Sequence, residues 1–562
     1  MHLVISMEDF SILIGGIAGD GINEAGLTAA RLMNRLGYRI FMYYDYPSLI
    51  RGGHNFSMVR ASSERIGVCR DEIDLLIALN QDTVDRHSGR LKEGSIFIFD
   101  ADNVMGEGIA EKSCGISVTG ILKEEGAPSV MKNSCILGAF CHAVSIEWTV
   151  LEEVLKKHIP KKLELNLKVA RRGYDQASEF CRIAWLDNSP EPIITGNQAI
   201  SLGLIRAGLE AYVAYPMTPS SAILDFMANS AEEFGLKVVH PESEIAVILM
   251  AEGFAYAGAR TAVGTSGGGF CLMTEALSLA GMAEIPLAIV VAQRTGPSTG
   301  LPTYTAQGDL HFVINAGQGE FPRLVIAPGD AEDAYLWSAA ALNLAWKYQI
   351  PAFILSDKIV SESQYSLDLG LTGKAETARP AQLWNEQGDY HRYRHSDTGV
   401  SPLAYPPQRG QVIKADSYAH DATGITTEDP QITREMSDKR VLKAQSLARE
   451  LEGYETVKLL GDEKSRTCLL FWGSNKGVCR EAAESLGLRA VQVLVLWPFP
   501  EKRLKAALRG VERLISVECN ATGQLATLCL QYGIEVDDRI LKYDGRPFSL
   551  NDLETELERR KA

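Results

Sequence analysis

The sequence predicts an α/β protein built from three successive α/β modules, and three observations carry that prediction. At 562 residues the chain exceeds what one hydrophobic core can organise and has room for about three domains. Short apolar runs alternate with helical patterns, the signature of sheets with crossover connections. No long repeat or coiled-coil heptad interrupts that alternation. The composition, 46% hydrophobic and 23% charged, is that of an ordinary globular protein.

The first module, residues 1–188, opens on the strand-like run Ser11-Ile-Leu-Ile14, glycines at 15, 16, 19 and 21, and a helical pattern through Ala25 to Gly37. The apolar runs Arg39–Tyr44, Asp74–Leu79 and Ser95–Phe99 follow, and a parallel sheet is expected. The module closes near Asn188-Ser-Pro-Glu-Pro192. A second module, 189–360, starts at Ile193-Ile-Thr-Gly196 with a helix through Gln198 to Ala207, then strands over Arg260–Thr265, Pro286–Ala292, Arg323–Ala327 and Pro351–Leu355. Over 361–440 the pattern is lost and Pro, Asp, Tyr and Arg accumulate, as in Tyr390-His-Arg-Tyr-Arg394. Aromatics and charges without low-complexity repeats suit an ordered arm wrapping a partner better than a flexible linker. The third module, 441–562, has strands at Thr467–Trp472, Val491–Leu496 and Arg513–Val517, with a helix over Glu481–Leu486.

Charge and cysteines exclude several functions. With 56 basic and 71 acidic residues the net charge is -15, which argues against nucleic acid or an anionic membrane as the main partner. No stretch approaches the roughly 20 apolar residues of a membrane span, and no secretion signal is visible, so the expected location is cytoplasmic. The ten cysteines are scattered, with no C-x-x-C, and no metal site is expected within the chain.

Chemistry must come from loops at strand ends, where open α/β sheets place ligands. Three such segments place a hydroxyl, a carboxylate and a guanidinium where they could converge: Tyr215-Pro-Met-Thr-Pro-Ser-Ser221, Glu242-Ser-Glu244 and Gln293-Arg-Thr-Gly-Pro-Ser-Thr-Gly300. In the first, two prolines stiffen the loop, and Thr218, Ser220 or Ser221 either caps the next helix or presents a hydroxyl to a ligand. Glu244 heads a strongly apolar run. There it complements a helix dipole or, if buried, shares a proton with a heterocyclic nitrogen. Arg294 offers a fork suited to an organic carboxylate, or forms a structural ion pair. The glycines of Gly264-Thr-Ser-Gly-Gly-Gly269 allow close backbone approach.

In order and spacing these segments resemble the alpha subunit of 2-oxoacid:ferredoxin oxidoreductases in the form with a fused N-terminal gamma domain. Arg294-Thr-Gly-Pro-Ser-Thr-Gly-Leu-Pro-Thr303 and Gly319-Glu-Phe-Pro322 add to the match, and Tyr46-Pro-Ser-Leu-Ile-Arg-Gly-Gly-His-Asn55 looks like the gamma-domain signature. Gly473-Ser-Asn-Lys-Gly477 and Pro498-Phe-Pro500 fit a transketolase-C-terminal-like domain. The resemblance implies a gamma-type domain, a pyrimidine-binding domain for thiamine diphosphate, and that third domain. It further implies oxidative decarboxylation of a 2-oxoacid with CoA to an acyl-CoA and carbon dioxide, with electrons passed to ferredoxin.

Thiamine diphosphate would be shared with a separate beta subunit, which carries Mg²⁺ and a [4Fe-4S] cluster, in an (alpha-beta)2 assembly. Glu244 matches the carboxylate on the aminopyrimidine ring, and Thr218 and Arg294 match the groups that hold the 2-oxoacid. Tyr215 and Pro216 fall in the same cofactor-side motif. Arg51, with Gly52 and Gly53, is a candidate phosphate contact for CoA. The Gly15–Gly21 turn is not the strict dinucleotide fingerprint, and Asp20 in it would repel a phosphate. Gly267-Gly-Gly269 stands where a Gly-Pro-Gly-like segment is expected. A different thiamine enzyme, or a noncatalytic binding subunit on the same fold, is the alternative.

Overall fold

The structure is a computed structural model that describes residues 8–49, 52–106, 108–385 and 388–561. It has mixed α/β sheets throughout and divides into two compact units: Met1–Ile194 with Glu362–Leu369 and Phe548–Ala562, and Thr195–Ser361 with Gly370–Pro547.

In the first unit Asp9–Ile17 is a central strand whose interior residues are all buried, as expected of a strand covered on both faces. It pairs parallel with Ile73–Ala78, which continues parallel to Leu91–Asp100 and Lys112–Ile116. On its other side the expectation of a parallel sheet is corrected. His54–Ser62 pairs antiparallel with Asp9–Ile17, and Arg39–Asp45 pairs antiparallel with His54–Ser62. The cause is chain length: residues 46–53 are too few for a crossover helix, so the two strands form a hairpin. Helix Ile22–Arg35 covers the sheet with Ile22, Ala25, Ala29, Leu32 and Met33, at the spacing of one helical face.

The second unit contains two sheets. One runs, in spatial order, Val495–Trp497, Leu324–Ile326, Pro351–Asp357, Leu287–Gln293, Thr261–Thr265, Ala211–Ala214 and Lys237–Val239. It is parallel except at its first strand. The other runs Val457–Gly461, Arg489–Val493, Thr467–Phe471, Arg513–Glu518 and Asp538–Leu541.

The single strand expected over Val491–Leu496 is in fact two. Arg489–Val493 belongs to the smaller sheet, and Val495–Trp497 crosses to pair with Leu324–Ile326. Periodicity gives no sign of the switch because both pieces are buried on both faces. Val491, Val493 and Leu496 consequently share one core with Val325, Phe353 and Trp472.

Described residues of the irregular stretch from 370 to 429 pack against their own unit. Arg392 donates to the carbonyls of Ala283 and Glu284 at 3.2 and 2.6 Å, and Tyr393 stacks on His420. It leads into helix Pro430–Leu451, capped by Asp429, whose side chain accepts from the Gln431 and Ile432 amides with Pro430 at the first position. That helix sends Lys439 and Lys443 onto Glu284, Lys439 at 2.7 Å, all three side chains buried. Burial alone would raise the Glu284 carboxyl, but the two ammonium groups and Arg392 hold it well below the usual carboxylate range. Removing the carboxylate leaves two buried cations uncompensated. Glu284→Ala should therefore cost about 3–5 kcal/mol of stability in urea denaturation, and replacing both lysines by Met in the same chain should restore much of it. An unchanged midpoint for Glu284→Ala alone would contradict this.

Candidate active site

Four adjacent strands of the larger sheet deliver the candidate residues to one edge. After Lys237–Val239 comes helix Glu244–Tyr256, and after Ala211–Ala214 the Tyr215–Ser221 loop. Helix Gly267–Met282 follows Thr261–Thr265, and Arg294 follows Leu287–Gln293. The strands pair in parallel register, Val213 with Val239, Gly264 with both Ala214 and Val290. Their carboxyl ends therefore all open on the same side, where such sheets hold ligands.

The structure brings Thr218 and Arg294 together. Arg294 donates from Nη1 to the Thr218 carbonyl at 3.0 Å, while its buried Nε has no acceptor among the described residues. Burial lowers the guanidinium's pKa from its ordinary value. With the Thr218 backbone tied to the arginine, its hydroxyl makes no hydrogen bond among the described residues. The loop is further fixed by Asn197, which donates to the Pro219 carbonyl at 2.8 Å. The expected cap is not formed. Ser220 is the residue before helix Ser221–Asn229, but its hydroxyl donates backward to the Met217 carbonyl at 2.8 Å. That turn closes the loop and leaves Thr218 outside any capping role. Tyr215, 37% exposed, meets His240 edge-on, and Pro216 is exposed beside it.

Glu244 is the first residue of its helix and only 4% exposed, yet its buried Oε1 has no partner among the described residues. Its position depends on the next element. A Cβ on Gly269 would lie 2.6 Å from Glu244 Oε1 and 2.2 Å from Thr265 Oγ1, and a Cβ on Gly267 would lie 2.3 Å from Asp309 Oδ2. Ser266, the residue before this helix, makes no capping bond, and its buried hydroxyl is also unpartnered among the described residues. The helix thus begins in a turn free of side chains, with unpaired polar groups around it.

The loop after Arg294 is held from several directions. Thr295 Oγ1 donates to the Thr305 carbonyl at 2.9 Å, Thr305 N donates to the Gly545 carbonyl at 3.1 Å, and Arg546 lies 3.7 Å over the Tyr304 ring. Gln307 donates to the Trp472 carbonyl at 2.9 Å and accepts from Asn475 at 3.0 Å and from the Cys519 amide at 2.9 Å. Gly473-Ser-Asn-Lys-Gly477 thereby acts as a clamp on the arginine loop. Sequence reasoning missed Gln307, Asn475 and Asp309 as part of this arrangement. Their only signal was polarity next to apolar strands, which reads equally as turn or cap.

The remaining candidates lie in the other unit. Arg51 falls outside the described residues. Gly52 and Gly53 have φ of 77° and 74°, and a Cβ on Gly53 would meet Pro47 at 2.6 Å, so these glycines serve a turn. The Gly15–Gly21 turn is likewise internally closed: the Asp20 carboxylate accepts from the Ile17 amide at 3.2 Å and pairs with Lys132 at 3.4 Å. Among the described residues no helix is long and apolar enough to cross a membrane.

An open parallel sheet with a carboxylate, a hydroxyl and an arginine at its carboxyl edge places the chain among α/β proteins whose strand ends form a ligand site. Comparisons narrow that class. Residues 202–438 match the family model described as pyruvate flavodoxin/ferredoxin oxidoreductase, thiamine diphosphate-binding, and residues 11–176 match pyruvate ferredoxin/flavodoxin oxidoreductase. The alpha subunit of 2-oxoacid:ferredoxin oxidoreductase 2 from Aeropyrum pernix is 32% identical over 96% of this chain and 96% of its own length. A 2-oxoglutarate synthase subunit from Archaeoglobus fulgidus is 29% identical over 58% of this chain and 88% of its own length. A solved structure of 2-oxoglutarate:ferredoxin oxidoreductase from Magnetococcus marinus, with 2-oxoglutarate, coenzyme A and succinyl-CoA bound, superposes with a TM-score of 0.90 at 30% identity, covering 99% of this chain and 100% of that one. The chain belongs to the family of 2-oxoacid:ferredoxin oxidoreductase alpha subunits, and so to a multi-subunit oxidoreductase.

The glycine turn gives a direct test. Gly269→Ala should cost about 1–3 kcal/mol by overpacking. Gly268→Ala, whose Cβ would have only the Ser298 carbonyl oxygen within 4 Å, at 3.8 Å, should leave stability unchanged in the same urea titration. Equal effects at the two positions would refute the packing argument.

Proposed function

We propose that this chain supplies one half of an active site that oxidatively decarboxylates a 2-oxoacid with CoA, giving an acyl-CoA and carbon dioxide and passing electrons to ferredoxin. The observation that carries the reading is the buried, unpaired Oε1 of Glu244 at the sheet edge shared with Thr218 and Arg294. A buried acceptor without a donor is costly, and a ring nitrogen of a bound aminopyrimidine would supply the missing donor. The residues therefore fit thiamine diphosphate. Glu244 would hold its pyrimidine end, Tyr215 and Pro216 would lie at the rim, and the side-chain-free turn at Gly267–Gly269 would leave room for a ring. Bound there, thiamine diphosphate supplies the carbon nucleophile and electron sink that these side chains lack.

Each side chain then has its own task. Glu244 would hold a proton at its Oε1 for a ring nitrogen of the bound cofactor. Arg294, oriented by the Thr218 carbonyl, turns its remaining N–H donors to the 2-oxoacid carboxylate, and the Thr218 hydroxyl donates to the oxo group.

The other half lies on a partner. No group of three or more His, Cys, Asp or Glu among the described residues could hold a metal, and we assign Mg²⁺ and a [4Fe-4S] cluster to a beta subunit in an (alpha-beta)2 assembly in the cytoplasm. An apolar face beside the site supports docking of that subunit: Ile245, Leu249 and Leu272 are exposed and line a groove with Phe312. Within the expected limits 1–188, 189–360, 361–440 and 441–562, the N-terminal domain would take part in binding CoA, with Arg51, beside the turn at Gly52 and Gly53, as the candidate phosphate contact.

Two variants test the assignment in the complex co-purified with its beta subunit. Glu244→Gln should keep the wild-type melting temperature and slow exchange of the thiamine C2 proton for deuterium by about 10²-fold or more. Exchange at the wild-type rate would remove Glu244 from that role. Arg294→Lys loses the planar fork and should raise KM for the 2-oxoacid about 10- to 100-fold, the worth of one charge-assisted hydrogen bond, with little change for CoA. Unaltered 2-oxoacid kinetics would reject the anchor.

A further inference from the structure

Two imidazoles of the first unit meet in its interior and take no part in the chemistry above. His54 is the first residue of strand His54–Ser62, directly after the turn at Gly52 and Gly53, and it pairs with Ile17 at the end of the central strand. His87 is the last residue of helix Gln81–His87, which follows strand Ile73–Ala78. Their Nε2 atoms lie 2.8 Å apart, with the His54 side chain 7% exposed and His87 6%. Phe56 stacks on the His54 ring and meets His87 edge-on. The contact therefore ties the start of one strand to a helix 33 residues further along the chain.

Two ring nitrogens at this distance need one donor and one acceptor, and the neighbours decide which is which. Arg90 Nη1 lies 3.2 Å from His87 Nδ1, and a guanidinium only donates. His87 Nδ1 is then the acceptor, so the His87 proton sits on Nε2 and is donated to His54 Nε2. His54 must in turn carry its own proton on Nδ1, which faces Asp82 Oδ2 at 3.8 Å and has no hydrogen-bond partner among the described residues. Arg90 is itself fixed, its Nε donating to the Asp71 carbonyl at 2.7 Å. Each ring proton is thereby assigned, and both rings are neutral.

We infer that His54 and His87 form an acid-labile latch between strand His54–Ser62 and helix Gln81–His87, closed while both rings are neutral and opened by one further proton. Added to His54, that proton occupies Nε2 and opposes the N–H of His87. Added to His87, it occupies Nδ1 and opposes the N–H of Arg90. A change of tautomer at His87 relieves the first conflict only by creating the second.

The charged groups acting on the pair are Asp82 and Arg86 on the helix, Arg90 just beyond it, and Asp45 on strand Arg39–Asp45. Asp82 is engaged by Arg86 at 2.7 Å, and Asp45 accepts from the Tyr43 hydroxyl at 2.7 Å. Burial outweighs them: it pushes His87 down to about 3, with Arg90, His54 and Arg86 acting in the same direction, and it lowers His54 against the opposing pull of Asp82. A base whose pKa is lower in the folded than in the unfolded chain stabilises the fold above its ordinary value of about 6.5 and loses that contribution as pH falls toward the folded value. The latch accordingly weakens on acidification.

Hydrogen exchange read by mass spectrometry on the full chain in its complex tests this, with rates corrected for the intrinsic pH dependence of amide exchange. Between about pH 7.5 and about pH 4.5, peptides covering His54–Ser62 and Gln81–His87 should lose about tenfold in protection, the worth of one hydrogen bond, while helix Ile22–Arg35 of the same unit keeps its own. The double variant His54→Gln with His87→Gln has no imidazole to titrate and should show no such change. Arg90→Gln gives an independent reading, because an amide can accept from Nδ1 as well as donate to it. A protonated His87 then keeps its bond to His54, and protection should persist to lower pH than in the wild type. Unchanged protection in the wild type, an equal loss in helix Ile22–Arg35, a double variant that keeps the wild-type pH dependence, or an Arg90→Gln chain that opens at the wild-type pH would each overturn the latch.

Discussion

The site depends on one steric constraint: the first turn of helix Gly267–Met282 has no room for a side chain at Gly267 or Gly269. Thr265 and Glu244 press against it at Gly269, and Asp309 presses against it at Gly267. Because these groups come from separate elements, the turn acts as the common surface on which they are registered. A Cβ at either glycine would have to push a carboxylate, and with it the start of one helix or the loop after another strand. The sheet explains why these elements meet at all. Parallel register fixes which residues end each strand, and adjacent strands deposit their following loops side by side.

A second constraint comes from the smaller sheet of the same unit. Val495–Trp497 leaves that sheet to join the larger one, and Gln307 joins the loop after Arg294 to Trp472, Asn475 and Cys519. An arginine on a long loop is normally poorly positioned, since each free rotor and backbone torsion has to be ordered when the ligand arrives. Here much of that ordering is already done by contacts far from the guanidinium. The Thr218 carbonyl then fixes one of its nitrogens directly.

Much of this was legible in the residues. Alternating apolar runs marked the α/β modules, and the prolines around Thr218, the carboxylate at Glu244 and Arg294 after a buried strand pointed to the edge where the structure places them. Illegible features share a physical reason. The hairpin of Arg39–Asp45 with His54–Ser62 and the sheet switch after Val493 concern pairing between strands, and a doubly buried strand carries no periodicity to reveal its neighbour. Asp309 looked like an ordinary residue ahead of a helix, because its unusual feature is the absence of the capping bond. The meaning of Gly267-Gly-Gly269 likewise lies in atoms from distant elements and not in the glycines.

Some of the buried polar groups without partners among the described residues lie where the chemistry is assigned. Glu244 Oε1, Ser266 Oγ and Arg294 Nε all lack partners among the described residues, while the clamp residues Gln307 and Asn475 both donate and accept hydrogen bonds. Leaving these site groups open keeps a cost in the free protein that a ligand can relieve. Whatever supplies those donors and acceptors therefore stabilises the folded chain as well as occupying it, by an amount that grows with ligand concentration over its dissociation constant. Binding and folding are coupled here through the same few atoms, because the turn that excludes side chains is also the turn that withholds partners from them.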